Sequence, residues 1–210
     1  MRKKILLRSL VLTGVAATSI VGVASPVASA DPSDACTYFA DCNSVGGHIS
    51  RATVISRAMI WVNKGYGYSQ ATSDAVNGSG ENSAQKWRRD CSGFVSEAWR
   101  LAGTAPNYGR NTDTLRDIST EISYTALQKG DILDDPVGSD GYDAHVIIFD
   151  GWTGSVGGDF YMIEENPAYG GAVKHKASVV TYLRVEGIKG RGGDGGDNFV
   201  PRRYTKITTQ

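Results

Sequence analysis

The stretch DCSGFVSEAWRLAG, residues 90–103, has the pattern of an amphipathic helix with a cysteine in its first turn. Its apolar residues fall on one helical face, namely Phe94, Val95, Ala98, Leu101 and Ala102. Gly103 occupies a position where helices commonly end. The pattern therefore predicts a helix that begins at Cys91 and stops near Gly103.

Cys91 is a candidate nucleophile because of this position. Unpaired backbone N–H groups and the helix dipole favour an anion at a helix N-terminus, and the same N–H groups suit the oxyanion of a tetrahedral intermediate. Most free cysteines are simply small buried side chains. Polar and charged neighbours argue against deep apolar burial here, namely Arg88, Arg89, Asp90 and Ser92.

A catalytic thiol needs a base, and the chain contains three histidines. His48 follows two glycines and His175 lies between two lysines in what reads as a charged turn, so we expect both to face solvent, although position alone excludes neither. His145 opens the most apolar stretch of the chain, Val146-Ile147-Ile148-Phe149. We predict that His145 is the base, held on a rigid strand. The alternative is a strand-edge histidine whose hydrogen bonds are satisfied and which has no catalytic role.

The base in turn needs an orienting partner on its other ring nitrogen. Glu164, Glu165 and Asn166 end the next predicted strand. Because side chains alternate along a strand, Glu164 and Asn166 share one face and Glu165 takes the other. We favour Glu164 as the direct partner of His145 and Asn166 as its support, with the two roles open to exchange.

The rest of the chain predicts helices first and strands afterwards, which is typical of an α+β domain. Ser50 is a candidate N-cap for a helix over 51–64, and residues 65–89 read as an exposed loop rich in Gly, Ser, Asn and Gln. Four short strands are predicted, at Ile132-Leu133, Val146 to Phe149, Phe160 to Ile163 and Val179 to Val185.

Residues 1–30 read as a signal peptide. A basic start is followed by the apolar stretch from Ile5 to Val23, and Ala28-Ser29-Ala30 supplies small residues at a cleavage site. We expect a secreted protein that begins near Asp31 and has no stable membrane insertion. The remaining chain holds all 22 acidic residues and lacks the four bases of the leader, so its composition does not suit a nucleic-acid partner.

Three cysteines in an exported chain leave one unpaired. Cys36 and Cys42 lie in a polar segment just after the leader, and an oxidising exterior favours a disulfide between them. We therefore divide the chain into the leader, a cystine-tied lead-in over 31–48 and a single domain over 49–210, with Cys91 free. The lead-in could regulate the cleft by covering it.

The motif around Cys91 resembles that of the NlpC-type cell-wall cysteine peptidases, papain-like enzymes that cleave peptidoglycan peptides. The resemblance is carried by residues 90–95, by Leu127-Gln128-Lys129-Gly130-Asp131-Ile132, by Ala144-His145-Val146 and by Tyr161 to Glu164. The order and spacing agree over roughly residues 50–185. The resemblance implies a papain-like fold in which the Cys91 helix packs on an antiparallel sheet.

One position departs from that family. Its usual third residue is a histidine, whereas this chain has Glu164, and Glu164-Glu165-Asn166 is instead similar to the Glu-x-Asn of the related CHAP amidases and peptidases. Tyr68 falls where the NlpC-type family often has a tyrosine, although a core or loop tyrosine would fit as well. We assign Tyr68, Asp90 and Ser92 to substrate binding.

The residues predict a cysteine hydrolase that works through an acyl-enzyme, and the resemblance implies that it cleaves amide bonds in peptidoglycan stem or cross-bridge peptides. Its predicted catalytic site comprises Cys91, His145, Glu164 and Asn166. The alternatives are a secreted amidase or effector acting on other amides, and a catalytically silent binding module on the same scaffold. The sequence has no His-Glu-x-x-His and no paired Cys-x-x-Cys, so we expect no metal or cofactor. We also expect a monomer.

Overall fold

The computed structural model of the chain describes residue 36 and residues 38–79, 84–136, 144–177 and 199–208. The predicted signal peptide and the predicted strand over Val179 to Val185 lie outside these residues.

The first long helix, α1, spans Arg51–Lys64, as its apolar periodicity predicts. Ser50 caps it by accepting a hydrogen bond from the backbone N–H of Thr53, and Gly65 ends it in the left-handed region at φ 61°. A buried ion pair fixes α1 against the next helix, since Arg57 Nη2 lies 2.8 Å from Glu97 Oε1.

The helix that carries the cysteine, α2, spans Cys91–Ala98, and all of its residues are buried. It ends earlier than Gly103 because Arg100 takes the left-handed position at φ 56°. The N–H groups of Arg100 and Leu101 then bond back to the carbonyls of Glu97 and Ser96, which closes the helix. Gly103 serves packing instead, because a Cβ there would lie 2.5 Å from the Trp87 ring.

Strands follow the helices, and the architecture is α+β. The short helix α3 (Thr112–Leu115) is followed by six strands: Ser119–Glu121 (β2), Ile132–Asp135 (β3), His145–Trp152 (β4), Phe160–Asn166 (β5), Gly171–Ala177 (β6) and Val200–Tyr204 (β7). They form one sheet in the order β2-β7-β3-β4-β5-β6, and every neighbouring pair is antiparallel. A parallel pair, β1 (Ile49–Ser50) with β8 (Ile207–Thr208), joins the two ends of the domain.

The sheet buries apolar side chains on both faces, as period-two alternation along its strands requires. On one face Val146, Ile148 and Ile163 pack with residues of α1 and α2, including Trp61, Phe94 and Trp99. A second cluster holds the alternate residues, with Ile147, Phe149, Phe160, Met162 and Phe199 among them. Helix α2 is therefore packed directly on the strands that carry His145 and Glu164.

Two local predictions are wrong. The segment around His175 is not a turn but the edge strand β6, in which exposed Lys174 and Lys176 alternate with less exposed residues. Residues 65–89 are not wholly an exposed loop, because Trp87 is completely buried and pairs with Val76 in an isolated antiparallel bridge. In both segments polar composition conceals a backbone that is paired with another part of the chain.

The described part of the lead-in is tied by the predicted disulfide, with the Cα atoms of Cys36 and Cys42 5.3 Å apart. It packs on the domain: the Gly46 N–H donates to the Arg100 carbonyl at 2.8 Å, and Lys206 Nζ donates to the Gly46 carbonyl at 2.8 Å. The segment thereby joins the end of α2 to the turn between β7 and β8.

Candidate active site

Cys91 is the first residue of α2 and the one free cysteine of the described residues. Its neighbour Asp90 is the N-cap, and the Asp90 carboxylate accepts the Gly93 N–H at 2.6 Å. The Asp90 carbonyl accepts the Phe94 N–H at 2.9 Å. The thiol therefore lies in the first turn of a capped helix, and its residue is 7% exposed.

Arg88 braces this turn from the side, a role that the sequence did not indicate. Its Nε lies 2.6 Å from Asp90 Oδ2, and its Nη2 donates to Ser92 Oγ at 3.1 Å. The same guanidinium donates to backbone carbonyls of the following loop, at 2.9 Å to Arg110 and 3.3 Å to Gly109. Asp90 and Ser92 line the cleft beside Cys91, and their side chains also hold the turn in place.

His145 opens β4 and contacts Glu164 of β5, its Nε2 lying 2.6 Å from Glu164 Oε2. The Nδ1 atom is thus the ring nitrogen left for Cys91. Burial by itself lowers the pKa of His145, but hydrogen bonding and charge from the side chains of Cys91 and Glu164 raise it to about 10. The hydrogen bond links the carboxylate to the imidazole, and the raised pKa of His145 links the imidazole to the thiol.

Glu164 is completely buried, and both of its carboxylate oxygens have partners. Asn166 Nδ2 donates to Oε2 at 2.9 Å, beside His145, while His175 Nε2 lies 2.6 Å from Oε1. Burial raises the pKa of Glu164, but the hydrogen bonds and charge of His145, Asn166 and His175 outweigh it and the pKa is lowered. Glu164 is therefore the residue that contacts His145, and Asn166 supports it.

His175 was expected to face solvent, and that expectation is wrong. The side chain is 25% exposed, and its ring packs against that of Tyr169 at 4.9 Å between centroids. The sequence signal that could have identified it is the alternation Val173, Lys174, His175, Lys176, which is that of an edge strand with one solvated face.

Glu165 points away from Glu164, as strand alternation predicts. It is completely buried, and neither carboxyl oxygen has a hydrogen-bond partner among the described residues. The pKa of Glu165 is raised to about 8, chiefly by burial. The charge of Arg89 opposes this increase, and the charge of Asp90 adds to it. An uncharged carboxyl group therefore lies near the two residues that precede Cys91.

A cleft of about 1030 Å³ runs past Cys91. Tyr68 and Gln70 line one part of it, whereas Gly46 and Lys206 line another. Tyr68 is half-buried, and its hydroxyl accepts a hydrogen bond from Gln70 Nε2 at 3.0 Å. The three residues assigned to substrate binding, Tyr68, Asp90 and Ser92, all lie along this cleft with Cys91.

Other features of the described residues do not add a second centre. His48 lies in the lead-in, where its Nδ1 is 2.5 Å from Asp41 Oδ1 and its ring stacks on Phe39. Within the described ranges no group of three or more His, Cys, Asp or Glu side chains is arranged to hold a metal ion. None of the helices in those ranges has both the length and the apolar character needed to span a membrane.

Comparisons with protein-family models, with curated proteins and with solved structures give no match for this chain. Interpretation of the site therefore rests on its geometry and on the motif around Cys91.

Proposed function

We propose that the protein is a papain-like thiol hydrolase that cleaves amide bonds in peptidoglycan stem or cross-bridge peptides. The observation that carries the proposal is the array Cys91–His145–Glu164, in which a helix-terminal thiol adjoins an imidazole whose other nitrogen is held by a buried carboxylate. The arrangement supports nucleophilic amide hydrolysis, which needs a thiol, a base for its proton and a group that orients the base.

In the proposed mechanism, Nδ1 of His145 holds the proton released by Cys91, and the thiolate attacks the substrate carbonyl. The Gly93 and Phe94 N–H groups are already bonded to Asp90, so the first-turn N–H groups of Cys91 and Ser92 are the ones suited to the oxyanion. His145 then protonates the leaving amine, and water hydrolyses the acyl-enzyme.

The peptide substrate is supported by two features. The motif residues around Cys91, His145 and Glu164 resemble those of enzymes that act on cell-wall peptides, and an open cleft of about 1030 Å³ is large enough for several peptide residues. The leader-like residues 1–30 and the Cys36–Cys42 disulfide support secretion as the route to that substrate.

The test is to incubate the purified protein with defined muropeptides and to identify the products by mass spectrometry. We expect new fragments from the unmutated protein and none from Cys91→Ala, with the bond identified by the fragment masses. Cys91→Ser is the matched control, because it keeps the size and polarity of the side chain but lacks the reactive thiol.

Alkylation by iodoacetamide separates the remaining outcomes. Cys36 and Cys42 are paired, so labelling reports on Cys91 alone. A rapidly alkylated Cys91 without muropeptide cleavage would reject the wall substrate and direct the search to other amides. A slowly alkylated thiol without any cleavage would reject the enzymatic function.

A further inference from the structure

The buried carboxylate of Glu164 binds two imidazole rings, one on each oxygen. His145 Nε2 lies 2.6 Å from Oε2, and His175 Nε2 lies 2.6 Å from Oε1. An ionised carboxylate only accepts hydrogen bonds, so both rings must donate through Nε2–H. This arrangement determines which nitrogen of His145 is left for the thiol.

We propose that His175 is a positioning residue of the catalytic site, which acts on His145 through Glu164. By donating to Oε1, it keeps the carboxylate ionised and oriented so that Oε2 holds the Nε2–H of His145. The inference rests on the proposed function, because it assigns His175 a part in the same thiol chemistry.

The strand register places His175 to do this. Within the β5–β6 pair, Glu164 is opposite Val173 and Met162 is opposite His175, so His175 reaches Glu164 diagonally along one face. The Tyr169 ring packs on the imidazole at 4.9 Å. The side chain is therefore held by a strand on one side and by an aromatic ring on the other.

The lysines beside His175 pair with other carboxylates, so we assign the role of second donor to Glu164 to His175. On β6 the adjacent Lys174 and Lys176 lie within 2.5 Å of Asp150 and 3.0 Å of Asp159, respectively. Among the described residues, the side chains that lower the pKa of Glu164 are His145 from β4, Asn166 from its own strand and His175 from β6. Cys91 from α2 raises the pKa of His145. Of these, His175 is the donor to Oε1.

Loss of His175 should therefore favour protonation of Glu164. A fully buried acceptor would lose its donor, and the neutral carboxyl group would hold the His145 ring less firmly in place beside Cys91. A hydrogen bond to a charged group corresponds to about one pKa unit, so the acid limb of thiol reactivity should move up by about one pH unit.

Two substitutions test the hydrogen bond that His175 donates to Glu164. His175→Leu removes it, whereas His175→Gln places an amide N–H near the former Nε2. His48→Gln is the matched control, because His48 also pairs with a carboxylate, that of Asp41, but lies in the lead-in. The readouts are the rate of Cys91 alkylation by iodoacetamide against pH and, where cleavage occurs, the pH profile of kcat/KM.

We expect His175→Leu to move the acid limb up by about one pH unit and to lower alkylation below it about tenfold. His175→Gln should restore most of the profile, and His48→Gln should leave it unchanged. A folded His175→Leu protein with an unshifted limb, or a His175→Gln protein as impaired as His175→Leu, would overturn the proposal.

NMR of the unmutated protein keeps the proposal testable if His175→Leu does not fold. With ¹⁵N-labelled histidine, only three rings need assignment, and we expect a proton on Nε2 of His175. An Nε2 without a proton would overturn the proposal. Alkylation and NMR need no substrate, so a failure to cleave muropeptides would count against the proposed function and not against the role of His175.

Discussion

At the scale of single residues, two neighbours govern the charge on the His145 ring. Burial favours the neutral imidazole, but the side chains of Cys91 and Glu164 together raise the pKa of His145 to about 10. The raised pKa means that the protonated ring persists through neutral pH and is lost only as the pH approaches 10. In the proposed mechanism, His145 could thus protonate a leaving amine over a wide pH range.

Glu164→Gln should lower the pKa of His145 by about one to three units, because a nearby carboxylate stabilises the imidazolium by that amount. The alkaline limb of kcat/KM should fall with it, since the proton donor is lost at a lower pH. Titration of the ¹⁵N-labelled His145 ring measures the pKa directly, whatever the substrate is.

Asn166→Ala is the comparison for that substitution. It removes one donor to Glu164 at 2.9 Å and leaves the carboxylate beside His145, so we expect a smaller change in the pKa of His145. Equal pKa values in the unmutated and Glu164→Gln proteins would show that Glu164 does not control His145.

At the scale of elements, β5 carries two buried carboxyl groups of opposite behaviour. Glu164 is ionised among donors, whereas Glu165 lacks a hydrogen-bond partner among the described residues and its pKa is raised to about 8, chiefly by burial. Alternation along one strand thus places an anion and a neutral acid at successive positions, on opposite faces of the sheet.

Glu165→Gln should stabilise the fold increasingly as the pH rises from about 4.5 to 8. Over this range the unfolded chain has released the Glu165 proton while the folded chain retains it, so the unmutated protein loses up to about 1.4 kcal/mol per pH unit. The amide has no such proton. Urea unfolding at pH 5 and pH 8 measures the difference, with exposed Glu121→Gln as control. A gain in stability that is the same at both pH values would contradict the assignment.

Elements whose boundaries are set by local chemistry could be predicted from the sequence, and elements set by distant pairing could not. Ser50 and Gly65 cap α1 with their own side chain and backbone, so the helix was found at its observed bounds. The end of α2 depends on Arg100 in the left-handed region, a position that arginine rarely adopts. Strand β6 was missed because its two lysines are recognisable as strand residues only when their ion-pair partners elsewhere in the chain are known.

The same division holds for the candidate site. Cys91 and His145 could be singled out because they open a strongly patterned helix and strand, and Glu164 because it directly follows the apolar end of the next strand. The brace formed by Arg88 could not be predicted, because it depends on backbone carbonyls of a later loop as well as on Asp90 and Ser92. Contacts of that kind have no residue-type signature in the sequence.

At the scale of the whole molecule, the lead-in packs at one end of the cleft and leaves Cys91 in the cleft lining. Gly46 lines the cleft together with Lys206, and the Tyr204 hydroxyl donates to the Gly46 carbonyl at 3.3 Å. The array of Cys91, His145 and Glu164 comes entirely from α2, β4 and β5. The disulfide therefore ties a segment that lines the cleft at Gly46, and it contributes no group to the proposed thiol chemistry.

Replacing both Cys36 and Cys42 by alanine in the full chain should lower the free energy of unfolding by about 2 kcal/mol, the loop-closure contribution of so short a loop. Below the melting temperature, the alkylation rate of Cys91 should stay within about twofold of the unmutated rate, because substitutions at sites that share no partners act nearly independently. Urea unfolding and iodoacetamide kinetics measure the two quantities on the same samples. A markedly faster alkylation would mean that the cystine-tied segment obstructs the thiol, and unchanged stability would mean that the segment does not brace the fold.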